Sequence, residues 1–192
     1  GKAADKFVTE LISQKPSKDA EAIDKLVRAD VKRGRFCKPT TKSKLDTKYG
    51  KGKWRPMPLF MVEQASGKLR LISDARRGGH NEVSTDEETI IVPSIEFVVE
   101  AVKEIHRAMG SSPWNDGTQG IPDWAQPLLG TEDLEDAYGQ CPVDPDQNCV
   151  CIVAWFCPAA RQWRFAEAVG LVFGLSAAVV AFNRWPAIMT AL

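Results

Sequence analysis

The chain has no C-x-x-C pair, no internal repeat, only two histidines and no acidic residue after Glu167. An odd total of five cysteines without such a pair argues against a disulfide framework. It fits reduced, mostly core thiols of an intracellular protein. Cys149 and Cys151 alternate within an apolar run, as buried strand thiols do. Gly1 to Glu10 is polar and shows no secretory signal. The one long uncharged stretch, Ala168 to Phe182, is shorter than the ~20 residues a membrane span needs and is read as core. The expected location is therefore cytoplasmic or nuclear, with no membrane partner. His106 lies beside an apolar helical stripe with no second ligand at metal spacing, so it reads as structural.

What is present is a soluble composition with an uneven charge layout. The 192 residues are 44% hydrophobic and 26% charged, enough for one domain or two small ones. Net charge is zero, yet residues 1–80 carry 20 Lys and Arg against 9 Asp and Glu, and residues 81–192 carry 5 against 16. One half suited to a polyanion and another suited to cations is one reading, and two halves that attract each other is the other.

In chain order, residues 17–33 read as a helix capped by Ser17, with Ala20, Ile23, Leu26, Val27 and Val31 at helical spacing. Lys32 to Arg55 is basic and broken by Gly and Pro. Lys42, Lys44, Lys48, Lys51 and Lys53 make it a solvated loop and a candidate phosphate-backbone contact. Residues 56–64 and 68–74 flank Ala65-Ser66-Gly67 and predict a β-hairpin. Lys68 and Arg70 share a face of its second strand, where two cations suit a triphosphate or simply protect an edge. A basic turn follows, from Arg76 to Asn81. Pro93 and Ser94 open an amphipathic helix with Ile95, Val98, Val99, Val102, Ile105 and Met109 on one stripe. Residues 111–127 read as a loop whose Trp114 and Trp124 either cover the core, as expected, or meet a partner.

The stretch on which a function hangs is Thr131 to Gln140, TEDLEDAYGQ, after the apolar Pro127-Leu128-Leu129-Gly130. A strand that ends by presenting carboxylates and an aromatic can hold a hard divalent cation such as Mg²⁺, which prefers oxygen ligands. A solvated acidic turn is the plain alternative. Beyond it, Cys149–Phe156 and Gln162–Ala166 predict a second hairpin around Cys157-Pro158-Ala159-Ala160. Gly174 permits close approach, Ser176 can cap a helix of small residues, and Pro186 should bend or interrupt that helix.

From about Arg55 to Leu192, four of these blocks in order resemble the fingers and first palm segments of a reverse transcriptase of retroelement type. Lys68-Leu69-Arg70-Leu71-Ile72-Ser73-Asp74-Ala75-Arg76 resembles the family's basic fingers segment. Asp133-Leu134-Glu135-Asp136-Ala137-Tyr138 resembles its metal-binding motif A, D-x-x-x-A-[YF]. The strand pair ending at Trp163-Arg164-Phe165 resembles the hairpin between motifs, and Phe173-Gly174-Leu175-Ser176-Ala177-Ala178 resembles motif B.

The resemblance implies an α+β fold of fingers β-hairpins and an incomplete polymerase palm with flanking helices. Its segments would be an N-terminal helix and basic loop (1–54), fingers (55–92), palm with motif A (93–140), a fingers return (141–170) and a motif B helix (171–192). It implies template-directed nucleotidyl transfer onto a primer 3′-hydroxyl, with Mg²⁺ as cofactor and with primed RNA or DNA template and deoxynucleoside triphosphates as partners. Asp133 would be the catalytic carboxylate and a metal ligand, with the Leu134 carbonyl as a second metal ligand. Lys68 and Arg70 would bind the triphosphate, Asp136, Ala137 and Tyr138 would lie along the sugar with Tyr138 as steric gate, and Phe173 and Gly174 would pack near the nucleotide. Two departures stand out: Leu171-Val172 replaces the common Leu-Pro, and the Y-x-D-D hairpin that supplies further carboxylates is absent. One Asp does not assemble a two-metal site, so the expectation is a fragment or truncated frame that does not polymerise as given. The alternatives are a non-catalytic nucleic-acid-binding remnant and a structural or interaction protein.

Overall fold

Alternating β-prone residues on either side of the Gln64–Lys68 turn fold back on each other as β1 (Pro56–Glu63) and β2 (Leu69–Ser73), an antiparallel pair. A second antiparallel hairpin, β3 (Ile152–Cys157) and β4 (Gln162–Glu167), closes through a turn in which the Arg161 amide donates to the Pro158 carbonyl at 3.1 Å. Both hairpins agree with the sequence reading. β3 starts three residues later than the run from Cys149 suggests, because the amides of Val150 and Cys151 are drawn back to the Gln147 carbonyl in a turn. The computed structural model describes residues 1–84, 95–110 and 137–191. The chain divides into two compact units, Gly1–Glu88 with Asp136–Leu192, and Thr89–Glu135.

In the first unit the two hairpins share one mixed sheet of order β2-β1-β3-β4. They meet through a short parallel ladder of three pairs, Pro56↔Ile152, Met57↔Val153 and Pro58↔Ala154. Two prolines in an inner strand run against the usual rule, since proline has no N–H to give. Alternation resolves the conflict. The Pro58 carbonyl accepts from the Asp74 amide at 2.8 Å, on the β2 side, so its missing N–H faces that side too, at the end of the β2 ladder. Met57, between the prolines, faces β3.

Each face of the sheet is covered. One carries α2 (Ala20–Lys32), whose Ile23 and Val27 pack with Met57, Leu59, Val153, Trp155 and Ala166. On the other, Val8 and Leu11 of α1 (Lys2–Ile12) and Leu45 of α3 (Lys42–Tyr49) pack with Ile152, Ala154, Phe165 and Trp54. Successive residues of β3 thus serve opposite cores, as period-2 alternation requires. α2 begins at Ala20, not Ser17; the Ser17 hydroxyl instead accepts from the Asp19 amide at 3.2 Å in the turn before the helix.

The basic stretch from Lys32 to Arg55 departs from the solvated loop expected. It holds α3, capped by the Thr41 hydroxyl, and runs along β4 with bridges Phe36↔Ala168 and Thr40↔Phe165. Three of its lysines are committed to carboxylates: Lys42 lies 2.7 Å from Asp46 and 3.0 Å from Asp5, Lys48 lies 2.7 Å from Glu167, and Lys51 lies 3.4 Å from Asp5. These ion pairs, with the Trp54 indole donating to Asp46 at 2.9 Å, supply the tertiary support that a run with so little apolar content lacks by itself.

Three further helices complete the first unit: α4 (His80–Val83), α6 (Ala137–Gln140) and α7 (Ser176–Ala191). α7 continues through Pro186, where a bend or an interruption was expected, so the interruption does not occur; one missing N–H removes one rung of the ladder and need not end a helix. In the second unit, the amphipathic helix is present as α5 (Ile95–Gly110), with Lys103 2.7 Å from Glu100. The expected strand at 127–130 and the loop with Trp114 and Trp124 lie outside the described residues. No described helix is long and apolar enough to cross a membrane. All five cysteines are free. Cys141, Cys151 and Cys157 are buried and Cys37 is exposed, and burial pushes the Cys151 thiol up to about 11.

One polar contact fastens α2 to the sheet. The buried Asp24 carboxylate accepts from the Trp155 indole at 2.8 Å and from Arg28 Nε at 2.7 Å. Burial pushes this carboxyl up, but the bonds from Trp155 and Arg28 outweigh it and hold it below its ordinary value of 3.8. Asp24→Ala leaves the indole unpaired in the core and is expected to cost about 2–3 kcal/mol, read from urea unfolding. Because the folded carboxyl titrates below the unfolded one, its stabilisation is complete above pH ~5 and is lost as pH falls through 3.8 and below. Asp24→Asn should flatten that acid limb; an unchanged limb would assign it to other groups.

Candidate functional site

The loop between β4 and α7 must pass under the end of the first hairpin, and one glycine allows it. Gly174 has φ +102, and a Cβ there would fall on the Ser73 carbonyl oxygen. The neighbouring Phe173 carbonyl accepts from the Ser73 amide at 2.9 Å, tying loop to strand. Gly170 plays a similar part below, where a Cβ would strike the Gly139 carbonyl. That contact lets the segment after α6 run beside 169–171, with Leu171 N donating to Cys141 O at 2.9 Å and Val143 N to Val169 O at 3.0 Å.

These approaches gather four of the residues singled out in the sequence. The Arg70 guanidinium lies over the Phe173 ring, 5.5 Å from its centroid, and its Nε donates to Gln64 Oε1 at 2.8 Å. Its Nη groups make no hydrogen bond among the described residues. Tyr138, in α6, meets Phe173 edge-on at 4.9 Å and Phe182 of α7 at 5.5 Å. Gly174 completes the cluster, and Ala137 lies next to Tyr138 in α6. Lys68 is exposed in the hairpin turn, one residue before β2. Asp133, Leu134 and Asp136 lie outside the described residues. Among the described residues no three His, Cys, Asp or Glu side chains gather as a metal site.

Asn81, read from sequence only as part of a basic turn, is the clamp of this region. Its Nδ2 donates to the Gly174 carbonyl at 3.0 Å, while its Oδ1 accepts from the Ser176 amide at 3.0 Å and hydroxyl at 3.2 Å. The helix cap expected from Ser176 therefore comes from a side chain 95 positions earlier. An asparagine beside the glycines of a turn was the only sequence signal, and it does not name a partner. Next to it, His80 is buried, with Nε2 2.9 Å from the Val150 carbonyl, so Nε2 carries the proton and donates. Burial pushes its pKa below 6.5, against smaller opposing effects of backbone hydrogen bonding.

Comparison with protein families and with curated proteins finds no match for this chain. The site is read from its own chemistry: a guanidinium with free Nη groups, flanked by an aromatic cluster and by backbone held close through two glycine contacts. Such a surface can bind an anion next to a ring or sugar.

Asn81→Ala removes both arms of the clamp and is expected to lower stability by about 1–2 kcal/mol in urea unfolding, with Asn81→Asp losing less because it still caps Ser176. His80 sets a second dependence. Its folded pKa lies below the unfolded value, so its contribution is present above pH ~6.5 and falls as pH drops below 6.5. His80→Gln should remove that component of the pH profile between neutrality and pH ~5; a superimposable wild-type profile would exclude His80 as its source.

Proposed function

We propose that this chain forms the fingers and first palm segments of a reverse-transcriptase-like polymerase, a fold that performs template-directed nucleotidyl transfer onto a primer 3′-hydroxyl. The observation that carries this reading is the meeting of Arg70, Tyr138, Phe173 and Gly174. They belong to three separate sequence blocks that resemble the family's basic, A and B motifs, and they converge on one side of the first hairpin, which supports the reading.

In this reading Arg70 offers its free Nη groups to the incoming triphosphate, held in plane by Gln64 and Phe173. Lys68, exposed at the turn, adds a second cation. Tyr138, braced edge-on by Phe173 and Phe182, presents its ring to the sugar as a steric gate, with Ala137 next to it in α6 and Asp136, outside the described residues, read as a further sugar contact. The Gly174 backbone, locked by Asn81 and Ser73, forms the surface against which nucleotide and template lie. Asp133 and the Leu134 carbonyl are hard oxygen donors of the kind Mg²⁺ takes, and when bound that ion polarises the phosphoryl group and the primer hydroxyl. One Asp does not complete a two-metal site, so this reading requires a second source of carboxylates.

The test uses a polypeptide that joins this chain to a carboxylate hairpin of the Y-x-D-D type, assayed on primed RNA template with Mg²⁺. Asp133→Asn is expected to abolish extension while primer–template binding stays within about twofold. Arg70→Ala should raise the KM for deoxynucleotide by about tenfold, a loss of ~1.4 kcal/mol. Tyr138→Ala should increase ribonucleotide incorporation. Full extension by Asp133→Asn, or sugar discrimination unchanged in Tyr138→Ala, defeats the reading.

A further inference from the structure

A second cationic site lies toward the opposite edge of the sheet. Between α2 and the β3–β4 hairpin is an open cleft of about 670 Å³, lined by Arg28, Lys32, Arg164, Trp155, Pro39 and Cys157 among others. Arg164 pairs across the sheet with Trp155, so both point to the face that α2 covers. The one carboxylate in the lining, Asp24, is consumed by Trp155 and Arg28. Lys32 and Arg164 have no partner among the described residues, whereas Lys42, Lys48 and Lys51 are all paired. Arg28 bonds Asp24 through Nε and reaches Cys157 Sγ at 3.8 Å, and its side chain is 58% exposed, which leaves guanidinium surface facing the cleft. The cleft thus offers three cations and no free anion.

The adjoining turn adds an independent sign. Arg161 follows the lining residue Ala160, is exposed, and has φ +50, the only non-glycine residue with positive φ among those described. Left-handed backbone favours Gly or Asn and strains a long side chain by ~1 kcal/mol. A cation kept at that cost, on the same hairpin as Arg164, extends the positive field along one rim. Arg161 and Arg164 are also two of just five Lys and Arg in residues 81–192, an acid-rich half where cations are scarce.

We infer that this cleft binds phosphate groups, with Lys32 and Arg164 as the direct contacts, Arg28 as a fixed cation beside them and Arg161 at the entrance. Phosphate is the anion that two unpaired cations beside the Arg28–Asp24 pair suit, because guanidinium matches it in a two-point fork and ammonium adds a point charge. A nucleic-acid strand and a free nucleoside triphosphate both bring that group. The inference does not rest on the polymerase reading: none of these residues contacts the Arg70–Phe173 cluster.

The experiment titrates the full chain, without Mg²⁺, with a short fluorescein-labelled single-stranded oligonucleotide in one arm and with ATP in the other. The variants are Lys32→Ala/Arg164→Ala and Arg161→Gly, with Arg70→Ala reporting separately on the Arg70–Phe173 cluster and thermal melting as the check on folding. In the oligonucleotide arm, Lys32→Ala/Arg164→Ala is expected to bind about tenfold more weakly, with a salt slope shallower by ~0.7 for each contact removed. Arg161→Gly should bind about threefold more weakly with melting no lower than wild type, which a purely structural role would not produce. A loss confined to the ATP arm assigns the cleft to free nucleotide. Unchanged affinity in both arms for a folded Lys32→Ala/Arg164→Ala chain overturns the inference. A defect in Arg70→Ala alone would support the polymerase reading and reject this one.

Discussion

Three residue pairs between β1 and β3 make one sheet of two hairpins, and everything else is placed by them. Seating Pro56–Pro58 beside Ile152–Ala154 brings Met57 and Leu59 to the core that β3 supplies with Val153 and Trp155, while β3 gives Ile152 and Ala154 to the other. The junction is short for its task. It is reinforced on one face by the Asp24–Trp155 bond from α2 and along the far edge by the Phe36 and Thr40 bridges to β4. The two prolines are tolerated in an inner strand because their missing donors fall at the end of the neighbouring ladder.

From this sheet the two charged regions follow. At the β2 side, the loop bearing Phe173 and Gly174 is drawn under the hairpin by Ser73 and Asn81, and the Arg70 guanidinium is laid on an aromatic ring. Toward β4, α2 stops short of the edge strand and leaves Arg164 uncovered in a cleft. Between them, Lys42, Lys48 and Lys51 are spent on holding α1, α3 and β4 together. The excess positive charge of the first 80 residues is therefore partly structural cement.

What could be read in the sequence had a local cause. The hairpins announced themselves by β-prone runs around Ser66-Gly67 and Pro158, and α2 and α5 by apolar spacing. α1 did not, because Val8 and Leu11 are its only buried residues in a polar run, and α3 did not, because Leu45 is its only buried residue among lysines. The parallel β1–β3 pairing has no local signature at all: nothing in Pro56-Met57-Pro58 specifies Ile152-Val153-Ala154. In the candidate site, Arg70, Tyr138, Phe173 and Gly174 were visible as blocks, whereas Asn81, Gln64 and Phe182 were not, since each acts through a partner that only the folded chain brings near.

The same junction has a consequence for how the protein is made. Met57 leaves the ribosome about 100 residues before Val153 does, which at ~5–20 residues per second is about 5–20 s of synthesis. During that interval α1, α2, α3 and the first hairpin have neither β3 nor β4 to pack on, and their apolar faces stay open to water and to neighbours. A nascent chain of this topology is a natural client for a holding chaperone until its second hairpin emerges.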